Sequence, residues 1–191
     1  MFFIDLPIEE NPFPRSARRR GVAVRLIELF ARAFPNITYR LLWESSLVNA
    51  QAWRLGEARN VQLYGGLVRH PAIRKAGLAV ALAHETGHHL GGPPFDPDLR
   101  WMTWQGQADY WAASIGMPRV FGLKARRMTL RGAREILQIH KDLGQQYGFD
   151  EADLSPECRL RIFRAGASKA DFPTCAKTEY RNCFDQPYPH V

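Results

Sequence analysis

The pentapeptide His84-Glu85-Thr86-Gly87-His88 closes the apolar run Ala76-Gly77-Leu78-Ala79-Val80-Ala81-Leu82-Ala83, and it constrains the fold more than any other feature of the chain. Histidines four residues apart on a helix are separated by little more than one turn, so both rings project from one face and can converge on one metal ion. Glu85 lies on the flank of that face, where a carboxylate can take a proton from a metal-bound water. The chemistry requires a helix, and the local sequence supplies one. Lys75 to Ala83 are strong helix formers apart from Gly77 and Val80, and Gly91-Gly92-Pro93-Pro94 is a clear stop. Two histidines and a glutamate on an otherwise apolar helix are costly to bury unless a partner uses them. The expected site is zinc held by His84 and His88, with Glu85 as general base.

At 191 residues and 46% hydrophobic content, the chain is expected to form one domain spanning residues 1–191, with a sizeable core. No stretch approaches the roughly 20 uninterrupted apolar residues of a membrane span, so no integral membrane segment is expected. The start lacks a basic region followed by an apolar core; cytoplasmic residence is expected if the chain is complete, and export if a signal was trimmed. The net charge of +7 raises an anionic partner, and Lys124, Arg126, Arg127 and Arg131 lie in a stretch without an acidic residue. No aromatic residue interleaves there to stack bases, so a solvated basic face is expected and no nucleic acid. Cys158, Cys175 and Cys183 have spacings unlike a zinc ribbon or a redox pair. A Cys158–Cys175 disulfide and free thiols both stand open.

The pattern along the chain predicts an extended Pro-rich arm over 1–14, then a helix from Ala17 to Phe34 with Val22, Leu26, Leu29, Phe30 and Ala33 on one side. Strands are expected over Ile37–Trp43, Leu47–Trp53 and Asn60–Val68, followed by the motif helix. Further helices are expected over Thr103–Ile115, over Leu130–Tyr147 with Ile136, Leu137, Ile139 and Leu143 apolar, and over Pro156–Ala167; residues 170–191 read as an irregular tail. Strands first and helices after them make an α+β class.

A catalytic zinc needs a third protein ligand and an open position for water, and the segment to search is 95–115. There Gln105 and Asp109 lie one helical turn apart and face the same way. The motifs Leu47-Val48-Asn49-Ala50-Gln51-Ala52, Leu63-Tyr64-Gly65-Gly66-Leu67, Leu82-Ala83-His84-Glu85-Thr86-Gly87-His88 and Gln105-Gly106-Gln107-Ala108-Asp109 occur in an order that resembles the gluzincin metallopeptidases. The likeness is to the soluble catalytic core of the CAAX prenyl protease and HtpX-type families and their small soluble relatives, and it covers roughly residues 47–115. Beyond it, Pro156-Glu157-Cys158-Arg159-Leu160 is similar to a cysteine-bearing C-terminal segment of some small bacterial members.

The resemblance implies a zincin-like fold, in which a small mixed sheet packs on the active-site helix beside a second ligand-bearing helix and C-terminal helices. It implies a zinc-dependent metalloendopeptidase acting on a peptide or protein substrate. His84 and His88 would bind zinc, Glu85 would serve as general base, and Asp109 would hydrogen-bond the first histidine. The stretch Tyr64, Gly65, Gly66 and Leu67 would be the sheet edge along which substrate lies extended.

The chain departs from the pattern at one position, since the family's third ligand is a Glu where this sequence has Gln105. A neutral amide oxygen is a weaker donor and leaves the site one negative charge short. Gln105 as an unusual ligand, Asp109 or His89 in its place, and a degenerate site that serves binding or regulation all stand open. His89 is offset about a quarter turn from His88 and is expected to cover the helix surface. Tyr110 and His140 are possible electrophiles, with ordinary packing as the alternative for each.

Overall fold

The computed structural model of the chain describes residues 13–147 and 154–176. Residues 1–12 of the expected arm, residues 177–191 of the expected tail, Cys183 and the side chain of Leu143 lie outside the described residues.

Helix α1 spans Ala17–Ala33, and its start is fixed by Ser16, whose Oγ accepts the Arg19 N–H at 3.4 Å. It buries Ala23, Leu26 and Phe30. Strands β1 (Ile37–Leu42), β2 (Ala50–Leu55) and β3 (Ala58–Tyr64) form one mixed sheet in the order β1-β3-β2. β1 runs parallel to β3 and β2 antiparallel to it. Gly56, at positive φ in the two-residue turn between β2 and β3, takes the conformation such hairpins require of their first central residue.

Two expectations for this region are corrected. β2 begins at Ala50 rather than Leu47, because carbonyls just before it serve other partners. The Leu47 carbonyl accepts the Leu67 N–H at 3.2 Å, while Arg69 donates to the Trp43 and Ser45 carbonyls at 2.6 and 2.9 Å. The third strand ends at Tyr64, and Gly65–Arg69 is a short buried helix, α2. Glycine made this helix unreadable from alternation and also makes it possible. A Cβ on Gly65 would collide with the Trp43 carbonyl, and one on Gly66 with the carbonyls of Ser46 and Leu47. Gly66→Ala is therefore expected to destabilise the protein by about 2–3 kcal/mol, a fall of roughly 4–12 °C in Tm by calorimetry.

The motif helix α3 spans Lys75–Leu90, and Ala76 through His89 are all buried. A helix apolar all round belongs at the centre of a core, and its alanines and glycines let neighbours approach closely. A Cβ on Gly87 would come within 2.8 Å of the Ala108 carbonyl oxygen, and one on Gly132 would strike the Ala76 carbonyl. The N-cap residue Arg74 offers no capping side chain. Glu135 caps the helix from a distant element, accepting the Arg74 and Gly77 N–H groups at 2.9 and 2.8 Å.

Helix α4 spans Gln105–Trp111, starting two residues later than expected; Thr103 instead makes a β-bridge with Phe95. It runs on through a π-helical turn, Ala112–Gly116, into α5, Met117–Phe121. Helix α6 spans Ala125–Tyr147, five residues longer at its start than expected, and α7 spans Pro156–Ser168. Cys158 and Cys175 form a disulfide with Cα atoms 6.0 Å apart, deciding between the two readings of that pair. The class is α+β, a three-stranded sheet with helices in the majority. Among the described residues, no helix is long and apolar enough to cross a membrane.

Candidate metal centre

The helical spacing of the motif brings His84, Glu85 and His88 together as a fully buried group whose ligand atoms lie within 4.8 Å of one another. Two acceptors behind the rings determine which nitrogens face inward. Asp109 Oδ1 lies 2.6 Å from His84 Nδ1, and the Thr103 carbonyl oxygen lies 2.7 Å from His88 Nδ1. A carboxylate and a carbonyl only accept, so each ring carries its proton on Nδ1 and presents a bare lone pair at Nε2. Both Nε2 atoms are buried without a hydrogen-bond partner. Unpartnered buried donors and acceptors are costly, and a metal ion would satisfy these two together.

The same reasoning extends to Gln105. It is the first residue of α4, one turn before Asp109, which already reaches His84 from that helix. The Gln105 Oε1 atom is likewise buried without a partner, as are both carboxylate oxygens of Glu85. The four unpartnered groups comprise two imidazole nitrogens, one amide oxygen and one carboxylate. That donor chemistry fits a divalent metal with a base beside it.

Asp109 is no free ligand. Its Oδ1 also accepts Arg159 Nη2 at 2.9 Å and its Oδ2 accepts Arg159 Nε at 2.7 Å, a two-pronged ion pair sealed from solvent. Arg159 Nη1 lies 3.3 Å from His140 Nε2, and since guanidinium only donates, His140 accepts there as a neutral ring. A chain thus runs from His140 on α6 through Arg159 on α7 and Asp109 on α4 to His84 on α3. His89 also lies apart from the metal-binding group. Against expectation it is buried, because its Nε2 donates to the Asn60 carbonyl at 2.9 Å and its ring stacks on Trp101. Tyr110 donates to the Ala170 carbonyl at 2.9 Å, which is a packing role.

Burial dominates the electrostatics. It pushes the Glu85 carboxyl up to about 8 and the His84 imidazole down to about 4, the latter against the pull of Asp109. His88 is held well below the ordinary histidine value by burial and then by His84. His140 falls to about 3 through burial and then the Arg159 charge. For Asp109, burial works upward, yet Arg159 and His84 together hold the carboxyl below its usual range. The histidines are therefore neutral and ready to coordinate at physiological pH.

The expected position of the sheet edge is corrected. β3 is the central strand, paired on both sides, so Tyr64 to Leu67 form no sheet edge. Tyr64 bonds Gln51 at 2.7 Å on the sheet face opposite Val61 and Leu63, and Gly65, Gly66 and Leu67 are buried in α2. Among the described residues, the sheet edge next to the site is the outer side of β2. The Tyr64 N–H bonds the Asn49 carbonyl at 3.1 Å, so by alternation Gln51 and Trp53 turn their backbone groups to β3, while Ala50, Ala52 and Arg54 turn theirs outward. The Ala52 backbone N–H faces the Glu85 carboxyl and favours its charged form without completing a hydrogen bond, which places this edge against Glu85.

Sequence reasoning missed Arg159 and the role of Ala52. Arg159 was detectable in principle: it shares the spacing of Ile162, Phe163 and Gly166 along the buried stripe of α7, and a charge in an apolar stripe needs a buried partner. Nothing local in the sequence signals Thr103 or Ala52, which act through backbone groups. In comparisons with known proteins, the chain matches no family model, no curated protein and no solved structure, so its own geometry is what the assignment of this centre rests on.

Proposed function

We propose that the protein is a zinc-dependent metalloendopeptidase of gluzincin type with a zincin-like fold. The observation that carries this reading is the set of unpartnered buried atoms, His84 Nε2, His88 Nε2, Gln105 Oε1 and the Glu85 carboxylate, beside an open strand edge. His84, His88 and Gln105 hold the metal, with Asp109 and Thr103 fixing the two rings. Bound zinc supplies Lewis acidity, polarising the substrate carbonyl and acidifying water. Glu85 takes the proton from the attacking water and delivers it to the leaving amine. The outward carbonyls of Ala50, Ala52 and Arg54 and the Arg54 N–H pair with an extended peptide, replacing Tyr64 to Leu67 in that role, while the Ala50 N–H is held by Asn49 Oδ1. Main-chain pairing of this kind holds the substrate with little regard to its side chains.

A second reading, a zinc-holding protein with a binding or regulatory role, is favoured by Gln105 alone. An amide at the third position binds zinc less tightly than a carboxylate. The test measures zinc stoichiometry and cleavage of unstructured peptides for the parent chain and Gln105→Glu. The peptidase reading expects zinc-dependent cleavage by the parent and about tenfold or more tighter zinc binding by the variant. If the fully zinc-loaded parent is inert while Gln105→Glu cleaves, the second reading stands instead.

A further inference from the structure

Arg54 and Arg59 sit directly opposite each other on β2 and β3. The alternation set by the Tyr64–Asn49 bond makes them a non-hydrogen-bonded pair, the class whose side chains approach most closely. Like charges so placed repel. Among the described residues, no carboxylate forms an ion pair with either. The Arg54 guanidinium instead lies 4.9 Å from the centre of the Trp101 ring, and Trp101 stacks on His89 at 5.2 Å with 18° between planes. Arg54 Nε is buried without a hydrogen-bond partner. The stack orients the guanidinium and leaves donors unspent, and a planar fork of this kind matches a carboxylate in bidentate fashion.

The location gives the pair a role. Ala52, whose N–H faces Glu85, and Arg54 lie on the same sheet face, two residues and about 6.6 Å apart along β2. His89, at the far side of the stack, follows the ligand His88 directly in α3. A peptide extended along the open edge of β2, with its reacting carbonyl at Glu85, carries a side chain two residues away to the Arg54 end. We infer that Arg54, oriented by Trp101, and Arg59 opposite it form an anionic-residue subsite, so that the preferred substrates are peptides with Asp or Glu two residues from the cleaved bond. This rests on the peptidase reading and adds selectivity that main-chain pairing lacks.

The test uses the zinc-loaded full chain and a peptide set in which a single Glu is walked through a Gln-rich background. Cleavage positions are read by mass spectrometry and kcat/KM by initial rates. Glu two residues from the cleaved bond is expected to raise kcat/KM about five- to tenfold, chiefly through KM. Arg54→Gln should bring the Glu and Gln peptides to parity, Arg54→Lys should keep part of the preference, and Arg54→Glu should shift it toward Lys. Fluorescence anisotropy of the same peptides on zinc-loaded Glu85→Gln protein reads the subsite without turnover. Cleavage with no preferred Glu position, or a preference that survives Arg54→Gln, overturns the subsite and leaves the peptidase reading intact. Absence of cleavage with Arg54-dependent tighter binding of the Glu peptide retains the subsite and removes the peptidase reading. If neither cleavage nor preferential binding is seen, both fail.

Discussion

Glu85→Gln is expected to lower peptide hydrolysis by about 10²–10⁴-fold while zinc stoichiometry stays unchanged, because the amide keeps the shape of the side chain and loses only its capacity to accept a proton. Loss of zinc together with activity would show instead that Glu85 is part of the metal cage. The same variant gives a second result in the stripped protein. Burial raises the folded Glu85 carboxyl to about 8 from an ordinary value of 4.5. Its proton-linked stability is thus complete below the unfolded value and disappears as pH rises through about 8. His84 works in the opposite direction: lowered to about 4 from 6.5, it contributes stability above 6.5 that is lost as pH falls through 4. Between pH 5 and pH 8 the Glu85 contribution to metal-free wild type therefore falls while those of the buried histidines rise, and Glu85→Gln, which resembles the protonated acid and keeps only the rise, should gain roughly 5–10 °C in Tm relative to wild type over that interval. Equal slopes in the two proteins would mean that water reaches the carboxylate in the stripped state.

The second large effect is expected at Arg159. Arg159→Met leaves the Asp109 carboxylate buried without its guanidinium partner, a loss of about 3–5 kcal/mol by denaturant unfolding. Asp109 also sets the His84 tautomer, so zinc binding should weaken about 10–100-fold in competition with a chromogenic chelator. Arg159→Lys restores a point charge without the two-pronged geometry and should recover stability more than zinc affinity. A folded Arg159→Met protein that binds zinc as tightly as wild type would show that Asp109 holds His84 unaided.

Local patterns identified much of the protein. The Ala-rich run between Lys75 and Leu90 encodes a helix that can be packed on every side, and the four-residue spacing of His84 and His88 puts both rings on one face wherever that helix lies. The one-turn spacing of Gln105 and Asp109 likewise predicted a shared direction on α4. Boundaries failed where glycine removes the side-chain signal: Gly65 and Gly66 read as a continuing strand, yet they form the helix that lets Trp43, Ser46 and Leu47 pack against it. The sheet edge was misplaced for a related reason, since alternation marks a strand without saying which of its sides has a neighbour.

The sequence by itself determined which side chains can bind a metal, because helical periodicity is a short-range property set by backbone geometry. Only the tertiary structure decided how that group is completed. Strand order put β3 at the centre and left β1 and β2 at the edges, α7 delivered Arg159 to Asp109 across 50 residues of chain, and the Thr103 carbonyl fixed the second histidine. Those choices depend on which distant elements pack together and on backbone groups that every residue carries alike, so no local pattern of side chains can encode them.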